Sequence, residues 1–181
     1  VPGLYMRTEE GYGLRPNISI RGTAIERSAK VTIMEDGVLV APSPYTSSSA
    51  YYFPTTGRIH AVEVLKGPAV VSQGPQTIGG AINLISTPIP EANSGKFVQE
   101  LGDNGMTRTH AYYGGTQGNL GALIEVHEHS SDGFDTIANV GGNTGFDKSD
   151  LMLKARYSSG NHTVTYKMVC LLYTSDAADD P

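Results

Sequence analysis

The sequence predicts a small α+β domain followed by a series of neighbouring antiparallel strands. Its composition favours many short strands joined by turns, because Gly occurs 22 times, Tyr outnumbers Phe by 10 to 4 and Trp is absent. Asp36 and Gly37 stand between two apolar runs, and an Asp-Gly pair in that setting is a strong hairpin signal. Beyond Gly95 apolar and polar residues alternate, which is the period of a half-buried strand.

The first 88 residues contain the elements of the mixed domain. Ile18 and Ile20 share one face of the first predicted strand. A short helical segment is expected after Pro68, since proline suits the first position of a helix. The pair Gly79-Gly80 opens another strand and suggests a bulge or a close approach of two backbones. Strands are predicted over 17–22, 58–67 and 78–87 and in a hairpin over 30–40, and the stretch 86–95 is predicted to be a linker.

Residues 95–168 are predicted to form successive antiparallel strands, each with one apolar face. The clearest of them is residues 120–129, where two sets of side chains alternate. One face carries Leu120, Ala122, Ile124 and Val126, and the other carries Gly121, Leu123, Glu125, His127 and His129. The other strands of the series are predicted at 95–102, 106–115, 150–157 and 162–168.

Two architectures are consistent with this alternation. In a soluble sandwich the apolar face packs on a second sheet. In an outer-membrane barrel the apolar face meets lipid and the polar face lines the lumen. The turns at 116–119 and 158–161 are tight, whereas the connection 130–150 is long. Short turns on one rim and long loops on the other favour the barrel slightly.

The two ends of the sequence, its cysteine content and its net charge restrict the class of protein further. Residue 1 is Val, and the first residues lack the charged start and apolar core of a signal peptide, so we expect the chain to start within a longer protein. Residues 170–181 show no strand alternation and are interpreted as a non-native tail. The single Cys excludes an intramolecular disulfide framework. A net charge of −5 does not suggest a nucleic-acid-binding protein, and no apolar run approaches the roughly 20 residues of a membrane-spanning helix.

Four motifs then occur in order with sensible spacing: RPNISIRG (15–22), VTIMEDGVLV (31–40), RIHAVEVLKGP (58–68) and QGPQTIGGAINLIST (73–87). Together they resemble the plug domain of TonB-dependent outer-membrane receptors, and they are most similar to the ferric-dicitrate and siderophore types. The resemblance implies an α+β plug domain over 1–88, with a small mixed sheet and short helices. It also implies that residues 89–169 are the first antiparallel strands, about five, of a transmembrane β-barrel.

The resemblance implies transport rather than catalysis. Receptors of this family lie in the cell outer membrane of Gram-negative bacteria and take up a scarce chelate, here expected to be a ferric chelate of the siderophore or dicitrate type. A TonB-type energy-coupling protein acts on a short box that would precede residue 1. The expected partners are therefore this protein, a small-molecule metal chelate and outer-membrane lipid, without nucleic acid. No cofactor or catalytic residue is expected, since HExxH, Walker and nucleophile-elbow motifs are absent. The alternative is a secreted or surface β-rich binding or adhesion module without transport.

The resemblance also implies a latch between plug and barrel. Arg21 ends an apolar run and Lys66 stands in a similar setting, and in the family the basic residues of these two motifs pair with barrel carboxylates. Glu63 is assigned to the same latch, with a simple solvated acid as the alternative. Gly22 and Gly67 are expected where the backbone turns. Because Lys66 replaces the commoner Arg, it loses the bidentate fork, and a weaker contact is expected.

Ligand-binding residues are expected in the loops at the outer tips of the plug. Arg27, Tyr45, Ser47, Tyr51 and Gln73 offer polar and aromatic groups that suit an anionic, oxygen-rich chelate.

A metal site is not predicted, although one weak candidate exists. Glu125, His127 and His129 share a strand face, and imidazoles two residues apart can hold a metal ion. A polar lumen wall explains the same three residues without a metal.

Overall fold

The computed structural model describes residues 1–8, 14, 16–25, 28–40, 53–74, 77–134 and 144–175. The chain divides into two compact units, Val1–Thr87 and Pro88–Pro181.

In the described part of the first unit, six strands form two sheets. A two-stranded antiparallel sheet pairs β1 with β2, and a four-stranded sheet has the order β4-β3-β6-β5. Within the larger sheet β3 and β6 run parallel, whereas the β3–β4 and β5–β6 pairs are antiparallel. The strands are β1 (Leu4–Thr8), β2 (Pro16–Ile20), β3 (Val31–Glu35), β4 (Val38–Leu39), β5 (Ile59–Leu65) and β6 (Gly80–Ser86).

The core of this unit lies where β2, β3 and β6 meet. All five residues of β2 and of β3 are buried, including the polar side chains of Asn17, Ser19 and Thr32. Leu4, Val40, Ile59 and Val64 pack partly buried around the cluster. The buried cluster itself consists of Ile18, Ile20, Val31, Ile33, Phe53, Ile82 and Leu84.

The predicted Asp36-Gly37 hairpin is confirmed between β3 and β4. Asp36 and Gly37 have φ angles of 50° and 80°, as a two-residue hairpin turn of the I′ type requires. The turn is also tied to β6. The backbone N–H of Ser86 donates to Asp36 Oδ1 over 2.9 Å, and the N–H of Gly37 donates to Asn83 Oδ1 over 2.9 Å.

The expectation of short α-helices is wrong for the residues that the structure describes. Two 3₁₀-helices take their place, Thr56–Arg58 and Pro68–Gln73. The second begins at Pro68 as predicted, but Gly67 and Gly74, with φ of 106° and 122°, bound it on both sides. So short a segment leaves little room for the i→i+4 hydrogen bonds of an α-helix. Among the described residues no helix is long and apolar enough to cross a membrane.

The predicted close approach at Gly79-Gly80 is confirmed. Gly80 has φ of 148°, and a Cβ at this position would lie 2.7 Å from the Leu65 carbonyl oxygen and 2.9 Å from Ile20 Cδ1.

We therefore expect Gly80→Ala to destabilise the first unit by about 1–3 kcal/mol, through backbone strain and displaced strands. Amide hydrogen exchange of β5 and β6 peptides measures this effect. Gly37→Ala is the control, because Gly37 also has positive φ but no atom within 4 Å of the added Cβ. An equal loss of protection in both variants would contradict the close-approach explanation.

The described residues of the second unit, 88–134 and 144–175, form an antiparallel sheet of five strands in the order β11-β10-β9-β8-β7. Each strand pairs with its sequence neighbour in uninterrupted register. The tight turns join β8 to β9 and β10 to β11, and the long connection joins β9 to β10. The strands are β7 (Ser94–Leu101), β8 (Thr107–Gln117), β9 (Leu120–Ser131), β10 (Phe146–Ser159) and β11 (His162–Ser175).

The last strand extends past residue 169, where the predicted barrel strands end, as far as Ser175. β11 continues to Ser175, opposite Phe146 of β10. The alternation is lost there because both faces are apolar: Cys170 and Leu172 lie on one face, and Leu171 and Tyr173 on the other. Pairing with β10 maintains the strand where the sequence pattern no longer shows it.

The two faces of β9 differ in burial as the alternation predicts, but the apolar face is the exposed one. Leu120 and Ile124 expose 63% and 47% of their surface, whereas Glu125 and His127 expose 1% and 3%. The same face of the sheet also exposes Phe97 of β7, Tyr113 of β8, Tyr157 of β10, and Val164, Tyr166 and Leu172 of β11. A sheet surrounded by water normally shows the opposite arrangement.

Candidate functional site

The predicted latch residues Arg21 and Gly22 form the turn that ends β2. Both have left-handed backbone angles, with φ of 57° for Arg21 and 74° for Gly22, which glycine adopts readily and arginine rarely. The Arg21 side chain is exposed. Its backbone N–H donates to the Gly3 carbonyl over 2.8 Å, so the turn holds the start of the chain.

Lys66 lies directly after β5 and contacts the same segment. Its Nζ donates to the Pro2 carbonyl oxygen, and Gly67 with φ of 106° redirects the chain into the 3₁₀-helix. The structure therefore brings Arg21 and Lys66 together through residues 2 and 3. This arrangement could not be predicted, because Lys66 and Pro2 are far apart in the chain.

Glu63 occupies a different environment. It faces Asn83 across the β5–β6 pair, and Asn83 Nδ2 donates to Glu63 Oε2 over 2.9 Å. Because Asn83 Oδ1 also receives the N–H of Gly37, Glu63 belongs to a polar chain that runs across the sheet to the β3–β4 turn.

Of the predicted ligand-binding residues, only Gln73 lies within the described part of the chain. It is the last residue of the second 3₁₀-helix, half-buried, and its Nε2 donates to Ser72 Oγ over 3.4 Å. Arg27, Tyr45, Ser47 and Tyr51 lie outside the described residues.

A buried ion pair in the first unit was missed by the sequence analysis. The Arg58 guanidinium binds both carboxylate oxygens of Glu35 on β3, and its side chain has no exposed surface. The Arg58 carbonyl accepts the N–H and the hydroxyl of Thr87, the last residue of the unit. One signal was available: Arg58 is a charged residue next to an apolar strand, although it precedes its strand whereas Arg21 and Lys66 follow theirs.

The buried face of β9 carries the weak metal candidate. His110 Nε2 and Glu125 Oε1 lie 2.6 Å apart, at hydrogen-bond distance. Both ring nitrogens of His127 are buried without a hydrogen-bond partner among the described residues, and the His129 ring packs edge-on against Phe146 with ring centres 4.8 Å apart. In the described part of the chain, no group of three or more His, Cys, Asp or Glu side chains is arranged to hold a metal ion.

Ionisable side chains of β8 and β10 flank this cluster on both sides. The strand register places His127 between His110 and Asp150, and His129 between Arg108 and Lys148. Most charged side chains of the sheet therefore lie on its buried face, together with the apolar side chains of Leu123, Phe146 and Met152. Most of the other large apolar side chains lie on the exposed face.

Comparison with known proteins identifies the first unit. Residues 1–81 match the family model described as TonB-dependent Receptor Plug Domain. The chain is 26% identical over 178 residues to the vitamin B12 transporter BtuB of Photobacterium profundum, a match covering 88% of this chain and 28% of that protein.

Solved structures show the same fold over nearly the whole chain. The unliganded ferric citrate transporter FecA is similar with a TM-score of 0.74 and 22% identity, over 97% of this chain and 28% of that one. The ferric yersiniabactin uptake receptor FyuA of Yersinia pestis gives a TM-score of 0.73 with the same identity and coverage. The chain therefore spans less than a third of the length of these relatives. They are transporters and receptors, which confirms the expectation that the chain is not an enzyme. Residues 1–81 thus match the plug domain of the TonB-dependent receptors.

Proposed function

We propose that the chain supplies the plug and the first wall strands of an outer-membrane transporter that imports a ferric chelate with energy from a TonB-type coupling protein. In this proposal the first unit closes the pore, and the second unit begins the transmembrane β-barrel that forms it. The observation that carries the proposal is the inverted burial of the five-stranded sheet in a chain that contains a plug domain.

The apolar face of the sheet supports a barrel wall in contact with lipid. Side chains such as Ile124, Tyr166 and Leu172 expose 47%, 63% and 65% of their surface. In a soluble sandwich this face would pack on a second sheet and be buried. A lipid-facing surface explains the exposure, because hydrocarbon rather than water then surrounds these groups.

The opposite face supports a lumen. Arg108, Glu125, His127, Lys148 and Asp150 all project from it, according to the register. Barrel interiors in outer-membrane proteins are polar. The difference between a mostly charged face and a mostly apolar face is found on all five strands, so it is a property of the sheet rather than of one residue.

The latch assignment is retained as part of this proposal. Arg21, Gly22, Glu63, Lys66 and Gly67 would hold the plug in the barrel, with Arg21 and Lys66 facing carboxylates of the wall. Both basic side chains stand at strand ends of the first unit. An ion pair whose two side chains stay partly exposed contributes little to stability. Such a pair suits a contact that must open during transport.

A ferric chelate is the proposed cargo. The names of the two solved structures refer to ferric citrate and ferric yersiniabactin, whereas that of the sequence relative refers to vitamin B12. Arg27 supports an anionic ligand, because a guanidinium forms charge-assisted hydrogen bonds with carboxylate, hydroxamate or catecholate oxygens. Tyr45, Ser47, Tyr51 and Gln73 would supply the remaining polar and aromatic contacts.

Equilibrium dialysis of the detergent-solubilised chain tests this choice. The probes are radioiron-labelled ferric citrate, a ferric hydroxamate and a ferric catecholate, together with radiocobalt-labelled cyanocobalamin. We expect one ferric chelate to bind, and Arg27→Ala to weaken it by about tenfold or more through the lost charge-assisted hydrogen bond. Arg7→Ala is the matched control, since Arg7 is an exposed arginine on β1. Binding of cyanocobalamin alone, or equal losses in the two variants, would reject the ferric-chelate proposal.

A further inference from the structure

Two histidines of the second unit lie directly opposite each other on neighbouring strands. His110 of β8 pairs with His127 of β9 in the register, so both side chains project from the buried face of the sheet. Their ring centres lie 5.9 Å apart. Two imidazoles that share one metal ion, with metal–nitrogen bonds of about 2.0–2.1 Å, have ring centres roughly 4.5–6 Å apart. The spacing of this pair therefore suits a single ion held across the two strands.

The ring nitrogens of His127 are the second observation that indicates a ligand. His127 exposes 3% of its surface, and neither of its ring nitrogens has a hydrogen-bond partner in the part of the chain that the structure describes. A buried polar group without a partner costs about 1–3 kcal/mol, and native structures contain few of them. A metal ion bound to one of these nitrogens would offset the cost.

The contact between His110 and Glu125 prepares the other nitrogen of His110 for a metal ion. Nε2 of His110 lies 2.6 Å from Glu125 Oε1. When the Nε2–H donates to this carboxylate, the neutral ring carries its lone pair on Nδ1. Histidines that bind metal ions almost always donate their other N–H to such a partner, which fixes the ring and raises its basicity. Glu125 is therefore a positioning residue, and His110 Nδ1 is the ligand atom.

The charges near the pair favour a cation at His127 rather than at His129. Asp150 of β10 lies opposite His127 on its other side, so a second carboxylate stands beside the pair. His129, in contrast, lies between Arg108 and Lys148, and two positive charges repel a metal ion. The favoured site thus joins β8 to β9 and does not run along β9.

We propose that His110 and His127 bind one divalent transition-metal ion, of the zinc, copper or nickel type that imidazole ligands suit. Two imidazoles form the chelate and water completes the coordination, which is compatible with the finding that no group of three ligand side chains converges among the described residues. The inference goes beyond the proposed function, because the site needs only the sheet of the second unit and involves neither the ferric cargo nor the coupling protein.

Electron paramagnetic resonance of the detergent-solubilised chain, without an affinity tag and with one equivalent of Cu²⁺, tests the site. We expect nitrogen hyperfine splitting from two imidazoles in the unchanged chain and from one in His110→Asn or His127→Asn. His129→Asn is expected to keep both. His162→Asn is the matched control, because His162 is an exposed histidine on β11 of the same sheet.

The unchanged chain gives a ligand count that depends on no variant. Splitting from fewer than two imidazoles in this chain would overturn the proposal, even if a variant failed to fold. A two-imidazole signal that persists in His110→Asn, or that is lost in His129→Asn, would place the ion along β9 and would also overturn it.

Competition for Zn²⁺ with a chromophoric chelator tests the role of Glu125. Glu125→Gln keeps the size of the side chain and removes its charge, and we expect the affinity for Zn²⁺ to fall by about 10–100-fold. The two-imidazole signal with saturating Cu²⁺ should remain, which a collapse of the sheet would not allow. Equal affinities of Glu125→Gln and the unchanged chain would reject this role. A chain that binds Zn²⁺ but no ferric chelate would refute the proposed cargo and support the metal site.

Discussion

Replacing Arg58 with Met is expected to destabilise the first unit by about 3–5 kcal/mol, the cost typical of breaking a buried ion pair from one side. The Arg58 side chain is fully buried, and Glu35 exposes only 9% of its side chain. Without the guanidinium, the carboxylate stays in a poorly solvated position. Hydrogen exchange at increasing denaturant concentration measures this effect as a loss of amide protection in β3 and β6.

Two further variants show whether burial is the cause. Arg108→Met breaks an arginine–carboxylate pair with Glu100 in which the two side chains expose 39% and 47%; exposed pairs of this kind contribute about 0–1 kcal/mol. The double variant Arg58→Met with Glu35→Leu removes both charges, and much of the stability should return. A loss below about 1 kcal/mol for Arg58→Met, or no recovery in the double variant, would contradict burial of the charge pair as the source of the cost.

Placing arginine at residue 124 is expected to reduce the affinity of the chain for lipid bilayers by about 2–4 kcal/mol, if Ile124 lies near the middle of the membrane. Ile124 projects from the exposed apolar face, next to Tyr113 and Leu153 in the register. An arginine there would have to enter hydrocarbon. Flotation of the chain with uncharged phosphatidylcholine vesicles, over a range of lipid concentrations, measures the change.

Depth provides the control for this substitution. Ser149 projects from the same face but pairs with Glu128 and Leu172, two rows nearer the rim with the long connection. The cost of arginine on a lipid-facing surface falls to about 0–1 kcal/mol near the interface, so Ser149→Arg should float almost as well as the unchanged chain. If the unchanged chain did not float at all, or if both variants lost equally, the apolar face would not be a lipid-facing wall.

The parts of the fold that could be predicted from sequence are those that nearby residues determine. The hairpin at Asp36-Gly37 follows from the backbone angles that this pair adopts. The close approach at Gly80 follows from the missing Cβ, and the two faces of β9 follow from the alternation of side chains. In each case the residues that carry the signal are neighbours in the chain.

The parts that could not be predicted depend on contacts between distant residues. β1 is held by its pairing with β2, and its five residues carry no periodic pattern strong enough to mark a strand. The end of β11 is a strand because β10 lies beside it. The Arg58–Glu35 pair joins two motifs that each gave a signal, but neither motif contains information about its partner.

The predicted site also contains features that nearby residues determine and features that depend on distant residues. The positions of Gly22 and Gly67 at backbone turns follow from glycine chemistry, and both have positive φ. The contact of Lys66 with Pro2 did not follow, since a main-chain carbonyl acceptor leaves no mark in the sequence. The roles of Arg21, Glu63 and Lys66 toward a barrel wall stay predictions.

The parallel pairing of β3 with β6 has a consequence for the order of folding. β6 is the last strand of its unit to be synthesised, yet it lies between β3 and β5 in the middle of the sheet. Until it arrives, β3 has only the short β4 beside it and β5 has no neighbour within the sheet. Closing a long loop before any contact is gained slows this step. The nascent unit should therefore stay open and accessible to chaperones until residue 86 has been made.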